Sequence, residues 1–504
     1  MRNSLVFYVN GDRHEVRGEA AGRTLSDYLR GGCGSPTAER LVGTKIACAE
    51  GDCGACTVLV GKTAPSGDRL DYQTIDACIA FIYQLDRRHV VTVEGLQEDS
   101  RLAPAQQAMV DCHGSQCGFC TPGFVMALQG LVEESDDRGP LADETLRLGL
   151  SGNLCRCTGY SQILDAGKRL DPARVDSVAK QYDPAPMLAD FAALGDGPVR
   201  VNPRDTHQLN GHATAAPPVE VFLPSTLPEL VEFRADNPDA KLVSGATDVG
   251  VQFNHGKLAP VAVISTTGVA ELQHLEVVDE ELVIGAAVPW SRVEAFAKHE
   301  LPAYHAILTR FGSPQVRHAG TLVGNLANAS PIADSIPFHY VAGSTLELAS
   351  VGGRRDVPIE DFYLGYKQLD LRPDEVIIAV RTPLPAENVQ LRLYKVSKRR
   401  DMDISTVTTA FWLELEGDLC AGARLAAGGV GPTVVRLPRA EEALIGRPLT
   451  LEAMRVAGRI AREEITPISD VRGGADYRLQ LVENLFAKCW HEVRGNGILT
   501  GSSG

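Results

Sequence analysis

At 504 residues, 44% of them apolar and 22% charged, the chain is long enough for about three domains, each with a core of its own. A formal net charge of −15 without any basic run argues against nucleic acid and anionic membrane surfaces as partners. No apolar stretch reaches the roughly 18 residues of a membrane helix. The opening MRNSLVFYVNGDRHEV carries charges within a strand-like segment and no apolar signal region, so a cytoplasmic protein is expected.

Residues 1–88 read as a small β-rich domain. Leu5-Val6-Phe7-Tyr8-Val9 is a strand, Asn10-Gly11 a hairpin turn, and His14-Glu15-Val16 the start of the return strand. A short helix is expected over 24–30, opening at an N-cap threonine, Thr24. Then comes Cys48-x4-Cys53-x2-Cys56, with Cys78 following after 21 residues. That is the plant-type 2Fe–2S spacing. Zinc usually takes paired Cys-x2-Cys arms, which this five-residue step with a distant fourth cysteine fits poorly. Gly51, Gly54 and Ala55 allow a tight backbone whose amides can point at sulfur. Thr57-Val58-Leu59-Val60 is the next strand.

Residues 89–170 turn helical, with helices expected over 104–110, 121–134, 143–150 and 160–170. Thr121-Pro122 reads as an N-cap followed by proline at the first helical position. Here lie Cys117-x2-Cys120 and, across a gap of 34 residues, Cys155-x-Cys157. Spacing alone leaves this set open to a second iron–sulfur cluster or to zinc. Cys120 stands at a helix N-terminus, where the dipole favours a thiolate, and Cys157 precedes another helix. In a long chain, two four-cysteine sets point to metal binding rather than disulfides. Cys33, Cys112, Cys420 and Cys489 are left over and are expected as buried small apolar residues.

Residues 171–216 read as a proline-rich linker of little periodicity. From 217 to 390 α and β signals alternate, with strands at 242–244, 262–264, 282–284 and 376–378 and helical or turn-like stretches at 302–310 and 359–362. Residues 391–496 show strands at 391–396, 405–416 and 420–428, then helices over 439–445, 451–464 and 476–493; residues 497–504 are a tail. No G-x-G-x-x-G follows a strand, so a Rossmann site is not expected. Two small-residue loops stand out instead. One runs Leu242-Val243-Ser244-Gly245-Ala246-Thr247-Asp248-Val249-Gly250, the other from Gly320-Thr321 to Ala333-Asp334. The first is open to two readings, a cradle for a pyrophosphate or an ordinary β-turn. The run Lys398-Arg399-Arg400-Asp401-Met402-Asp403 reads as a solvated turn, and His318 and His339 as surface or satisfied core histidines.

Three longer stretches are Ala49-Glu50-Gly51-Asp52-Cys53-Gly54-Ala55-Cys56, Gln116-Cys117-Gly118-Phe119-Cys120-Thr121-Pro122-Gly123 and Gly152-Asn153-Leu154-Cys155-Arg156-Cys157-Thr158-Gly159-Tyr160. They resemble the xanthine dehydrogenase family of molybdenum hydroxylases. The resemblance implies two 2Fe–2S clusters, one on Cys48, Cys53, Cys56 and Cys78 and one on Cys117, Cys120, Cys155 and Cys157. It implies that Gln116 touches the pterin of a molybdenum cofactor held by a partner chain, where the residue alone also reads as a loop glutamine bonded to local backbone. Both small-residue loops resemble the family's FAD-binding domain. The implied FAD contacts are Leu242, Val243, Ser244, Gly245, Ala246, Thr247, Asp248 and Val249, then Phe311, Gly320, Thr321, Gly324, Asn325, Asn328 and Asp334, and later Val376, Ile377 and Lys395. Tyr366 matches an aromatic beside the flavin ring; Phe311 and Tyr366 also read as plain core aromatics.

The implied fold class is α+β multidomain: a β-grasp ferredoxin-like domain (1–88), a helical-bundle 2Fe–2S domain (89–170), a linker (171–216), an α/β FAD-binding domain (217–390) and an α+β C-terminal flavoprotein domain (391–496). The implied role is electron transfer. A partner large subunit with the molybdenum cofactor oxidises hypoxanthine or xanthine, and electrons pass through the helical-domain cluster, the ferredoxin-type cluster and FAD to NAD+. A dimer of heterodimers is the family's assembly. No catalytic side-chain acid or base is expected in this chain, since the cofactors carry the chemistry. Two other readings stand beside this one: the same role in an aldehyde or other N-heterocycle dehydrogenase, and a stand-alone NADH-dependent iron–sulfur flavoprotein reductase.

Overall fold

The computed structural model describes residues 1–32, 40–97, 99, 101–135, 139–204 and 219–495. The chain divides into two compact units: Met1–Leu272 with Pro289–Ser291 and Gly312–Thr321, and Gln273–Val288 with Arg292–Phe311 and Leu322–Gly504.

The first unit begins with a five-stranded sheet in the order Asp12–Val16, Leu5–Val9, His89–Val91, Thr57–Thr63, Leu70–Asp76. The opening hairpin turns at Asn10 and Gly11, both at positive φ (49° and 88°), the geometry that matches strand twist in a two-residue loop. Leu5–Val9 pairs parallel with His89–Val91, and the other pairings are antiparallel. Side chains alternate across a strand. Val58 and Val60 therefore join a core with Leu5, Phe7, Leu25 and Leu29, while Leu59 faces a second core with Tyr72, Phe124, Leu128 and Ile163. Both faces of this sheet are buried, which explains the unbroken apolar run Val58-Leu59-Val60 in the strand Thr57–Thr63. The helix Leu25–Arg30 covers one face and is capped by Thr24, whose side chain accepts from the Asp27 N–H.

The opposite face is covered by the helices Pro104–Asp111, Thr121–Glu133, Asp143–Gly149 and Ser161–Lys168. The N-cap of the second is Cys120, one residue earlier than the sequence suggested, with Pro122 in its first turn. The expected linker is structured. Val178–Gln181 and Pro184–Ala193 are helical, and Val199–Val201 is a strand. Val178, Met187 and Phe191 join the helical core, so apolar burial rather than proline content decides this segment. Pro217 and Pro218 lie outside the described residues.

The remainder of this unit is a four-stranded sheet in the order Val199–Val201, Glu220–Leu223, Ala262–Ser265, Lys241–Val243, the last three strands parallel. Its first helix, Leu227–Asp236, opens on a capping box between Thr226 and Glu229.

The second unit holds an antiparallel sheet in the order Leu275–Val278, Glu281–Gly285, Val376–Pro383, Thr345–Ser350, Gly353–Pro358. A second sheet runs Val389–Val396, Val407–Glu416, Leu419–Gly428, Val435–Arg436. The helices Leu451–Glu463 and Ala475–Val493 share a core with it through Met454, Ala457, Val482 and Phe486. They approach closely at Gly458, where a Cβ would stand 2.8 Å from the Glu483 carbonyl oxygen.

Cys420 and Cys489 are buried as expected, Cys112 is only half-buried, and Cys33 lies outside the described residues. Cys112 is the C-cap of Pro104–Asp111, and a helix end is more open than its middle. The tail Gly501–Gly504 also lies outside the described residues. Among the described residues no helix is long and apolar enough to cross a membrane.

Candidate functional site

The loop that carries Cys48, Cys53 and Cys56 is bent at Gly51 and Gly54, whose φ values are +71° and +64°. A Cβ on Gly51 would lie 2.4 Å from Ile79 Cδ1, so only glycine lets the loop settle on the segment after Cys78. The four thiols meet in sequence: Cys48 is in hydrogen-bonding reach of Cys53 and Cys78, and Cys78 of Cys56. Backbone N–H groups aim at the sulfurs, Glu50 at Cys48 Sγ (3.4 Å), with further amides from Asp52, Ala55 and Cys78. The neighbouring thiols of Cys53 and Cys78, with the Glu50 and Asp52 amides, hold the Cys48 thiol far below its ordinary pKa, while Cys48 pushes those of Cys53 and Cys78 up. Asp76 stands behind the set, its Oδ1 accepting from Cys56 Sγ at 3.5 Å and its Oδ2 without a partner. Burial pushes this carboxyl up to about 7.

Asn254, at the end of the helix Val249–Asn254, donates Nδ2 to the carbonyls of Ala49 (2.8 Å) and Cys78 (2.9 Å). A Cβ on Gly250 would lie 2.5 Å from the Ile79 carbonyl oxygen. The helix that follows the first small-residue loop is thus seated on the first cysteine set.

The second set gathers differently. Cys117 Sγ lies 3.6 Å from Cys157 Sγ, and Cys120 is within hydrogen-bonding reach of Cys155. Burial of the Cys155 thiol opposes ionisation, but the Thr158 hydroxyl (3.2 Å) and the N–H groups of Cys157 and Thr158 (both 3.4 Å) outweigh it and lower the pKa. Cys120 is pushed up to about 12 by burial and by Cys155. The Cys155 N–H donates to Tyr160 Oη at 3.0 Å, and Tyr160 itself sits at φ 73° as the cap of Ser161–Lys168. Cys117, Cys157 and Gln116 are exposed.

All eight cysteines are free thiols. Among the described residues no group of three or more His, Cys, Asp or Glu is arranged around a point that would hold a single metal ion. Thiols in neighbouring pairs, with amides directed at sulfur, fit a two-iron cluster that takes two thiolates per iron.

The candidate flavin residues fall in both units. In the first, a Cβ on Gly245 would lie 2.1 Å from the Ala319 carbonyl oxygen, and one on Gly320 3.0 Å from Thr247 Oγ1. The loop of Leu242, Val243, Ser244, Gly245, Ala246, Thr247, Asp248 and Val249 therefore closes on Gly320-Thr321, with Ala246 at φ 59°. Gln84 Nε2 donates to the Ser244 carbonyl at 3.0 Å. Small side chains and a left-handed residue are the makings of an anion-binding nest, which suits a pyrophosphate.

In the second unit, Ser335 Oγ donates to Asn325 Oδ1 at 2.7 Å, and Lys367 Nζ donates to the carbonyl (2.6 Å) and Oδ1 (2.8 Å) of Asn328. Lys367 follows Tyr366, which is 61% exposed, so Tyr366 is not a core aromatic. Lys395 and Asp334 pair with each other, Nζ to Oδ2 at 2.5 Å, and both side chains are buried. Asp334 Oδ1 also accepts from Ser405 Oγ at 2.5 Å. Val376 and Ile377 are buried in their strand, Phe311 is half-buried, and Gly324 is exposed.

His318 and His339 are satisfied core histidines. His318 Nδ1 bonds the Thr74 carbonyl at 2.9 Å, and His339 Nδ1 bonds Ser344 Oγ at 2.9 Å. In the turn after Val389–Val396, the Arg399 N–H donates to Asp403 Oδ2 at 2.9 Å, and Arg399 and Arg400 are exposed.

Sequence reasoning missed Asn254, Asn153 and Gln315. Their partners lie at least 96 residues away, and no local signal announces them.

Four family models match in chain order: the 2Fe-2S iron-sulfur cluster binding domain at residues 7–83, the [2Fe-2S] binding domain at 92–168, the FAD binding domain in molybdopterin dehydrogenase at 217–385 and the CO dehydrogenase flavoprotein C-terminal domain at 392–493. Among curated relatives, a xanthine dehydrogenase of Oryza sativa subsp. japonica is 31% identical over 548 residues, spanning 97% of this chain and 39% of that protein. One of Emericella nidulans is 30% identical over 538 residues, with the same two shares. The chain thus spans about 39% of the length of these relatives. Among solved structures, quinoline 2-oxidoreductase from Pseudomonas putida 86 matches with a TM-score of 0.51 and 28% identity, covering 55% of this chain and 97% of that one. Carbon monoxide dehydrogenase from Hydrogenophaga pseudoflava matches with a TM-score of 0.52 and 26% identity, covering 55% and 96%. The chain belongs to the molybdenum hydroxylase family and carries its two 2Fe–2S domains, its FAD-binding domain and its flavoprotein C-terminal domain.

Proposed function

We propose that this chain transfers electrons from purine oxidation, carried out on a molybdenum-cofactor partner, to NAD+. The observation that carries the reading is the gathering of eight free thiols into two sets of four. Cys48, Cys53, Cys56 and Cys78 would hold one 2Fe–2S cluster, and Cys117, Cys120, Cys155 and Cys157 the other. When bound, the clusters move single electrons and the flavin pairs them for a hydride acceptor. The amides of Glu50, Asp52, Ala55, Cys157 and Thr158 stabilise negative charge on sulfur and so set the potentials.

The loop from Leu242 to Val249, with Gly320 and Thr321, would take the FAD pyrophosphate on small residues and backbone amides. In the second unit, Asn325, Asn328 and Asp334 are proposed as flavin contacts and Tyr366 as an aromatic beside the ring. Lys395 positions Asp334 by pairing with it. Gln116, exposed beside Cys117, is available to the partner's pterin. Xanthine is favoured as substrate because curated relatives matching 96–99% of this chain carry the name xanthine dehydrogenase.

A second reading keeps the electron-transfer role and replaces the purine by another N-heterocycle or an aldehyde. The likeness to quinoline 2-oxidoreductase favours it. The test is to purify the chain with the large molybdenum chain that accompanies it and to supply xanthine, quinoline or an aldehyde with NAD+. Xanthine-driven NADH formation is expected. Turnover with quinoline or the aldehyde alone would select the second reading, and no turnover with any of them in a molybdenum-loaded complex would overturn both.

A further inference from the structure

Two residues outside both cysteine sets tie the sets together. Asn153 is 2% exposed and Gln315 is 1% exposed. Asn153 Nδ2 donates to the Gly54 carbonyl at 2.9 Å and to Thr57 Oγ1 at 3.3 Å. Gln315 Nε2 donates to Asn153 Oδ1 at 2.9 Å and to Thr57 Oγ1 at 3.2 Å. The residue after Asn153, Leu154, donates its N–H to the Cys53 carbonyl at 3.0 Å. Leu154 is bonded to Cys155. A single hydrogen bond therefore links the backbone of a cysteine of the first set to the residue adjoining a cysteine of the second.

The surrounding chain leaves no slack. A Cβ on Gly54 would lie 2.4 Å from both Asn153 Nδ2 and the Gly152 carbonyl oxygen, and one on Gly123 would lie 2.1 Å from the Gly54 carbonyl oxygen. A Cβ on Gly152 would lie 2.2 Å from Gln315 Oε1. That Oε1 is buried without a partner, a cost that an apolar side chain at the same place would not carry. A polar pair held so tightly in a dry contact specifies one geometry.

We infer that Asn153, braced by Gln315, is a positioning residue for electron exchange between the two cysteine sites. It holds the Cys53 carbonyl on the Leu154 N–H, so the sites are coupled through bonds instead of across a gap. Tunnelling decays less steeply along covalent and hydrogen bonds than through van der Waals space. The step is a one-electron exchange: the site of Cys155 is oxidised by one electron, the site of Cys53 is reduced by one, and no proton or bond is transferred. A low-potential one-electron donor supplies the electron. The inference rests on the cluster assignment proposed above.

The test uses the full chain loaded with both clusters, pulse-reduced by methyl viologen radical at less than one electron per chain. Rapid-freeze EPR then follows redistribution between the two cluster signals, and redox titration gives both potentials. Asn153→Ala should slow redistribution severalfold, with four irons per chain and both potentials kept. Gln315→Met, which touches neither cysteine set, should slow it by a smaller factor. If Asn153→Ala fails to fold, Gln315→Met decides alone. Redistribution at the parent rate in the folded variants would overturn the inference. A parent chain with fewer than four irons would overturn the cluster assignment itself, and the metal analysis separates that outcome from the kinetic one.

Discussion

The two cysteine sets share a unit but not an environment. In the first, Cys56 and Cys78 are 2% and 3% exposed, and its loop glycines are packed against neighbours. In the second, Cys117 and Cys157 are open to solvent, and a Cβ on Gly159 would meet nothing within 4 Å. Each set has a buried and an open side, since Cys48 and Cys53 are half-buried and Cys155 is buried, but the first loop is packed at its glycines and the second is free at Gly159. Solvent exposure and hydrogen bonds to sulfur both tune cluster potentials, so the two sites are built to differ. Under the proposed role, the open side formed by Cys117 and Cys157 would receive electrons from outside, and the packed set would pass them on.

The sharpest way to break this comparison is to add one methyl group to each loop. Gly54→Ala forces a non-glycine residue into positive φ and drives Cβ into Asn153 and Gly152. It should cost about 3 kcal/mol and strip iron from the first site. Gly159→Ala has the same sign of φ but open space, and should cost about 1 kcal/mol with iron retained. Denaturant midpoints and iron counts check both. Equal losses would mean that packing does not distinguish the two loops.

The five-stranded sheet should also respond to acid. His89 accepts the Gly11 N–H on Nε2 at 3.1 Å and faces Tyr72 Oη across 2.7 Å on Nδ1, so it is held neutral. Burial pushes its pKa down to about 4 from an ordinary 6.5. The unfolded chain therefore takes up a proton that the folded chain refuses. Folding stability contributed at higher pH is lost as pH falls from about 6.5 towards 4, by up to about 3 kcal/mol. His339, pushed down to about 3, adds a slope of the same sign. The stability difference between His89→Gln and the parent, measured against pH, should show the first slope; a flat difference would refute it.

At the exposed site, Thr158→Val removes the hydroxyl that bonds Cys155 Sγ. Losing one hydrogen bond to a thiolate is worth about 1 kcal/mol, so the potential of the second cluster should fall by about 40 mV while the first stays unchanged. Redox titration reads both. The smallest effect belongs to Glu50→Gln, which breaks the exposed contact with His255 and should change stability by less than about 0.5 kcal/mol.

The cysteine loops, their glycines and most elements were legible because their signals are local: ligand spacing, a turn pair at Asn10-Gly11, a cap at Thr24. Residues 184–193 were misread as linker although Asp183-Pro184 is itself a helix start, with Asp183 capping the Ala185 N–H. Proline reads locally as a breaker, and the burial of Met187 and Phe191 that decides the matter depends on a core built elsewhere in the chain. Asn153, Gln315 and Asn254 were illegible for the same reason, since each acts through partners far along the sequence. In the sequence Lys395 and Asp334 read as two separate flavin candidates, and their mutual bond is a tertiary fact.

The most direct test of the central claim is metal and flavin analysis of the full chain, with EPR after reduction by dithionite. Four irons, one FAD and two distinct 2Fe–2S signals per chain are predicted. Two irons with zinc, a single signal, or no flavin would contradict it.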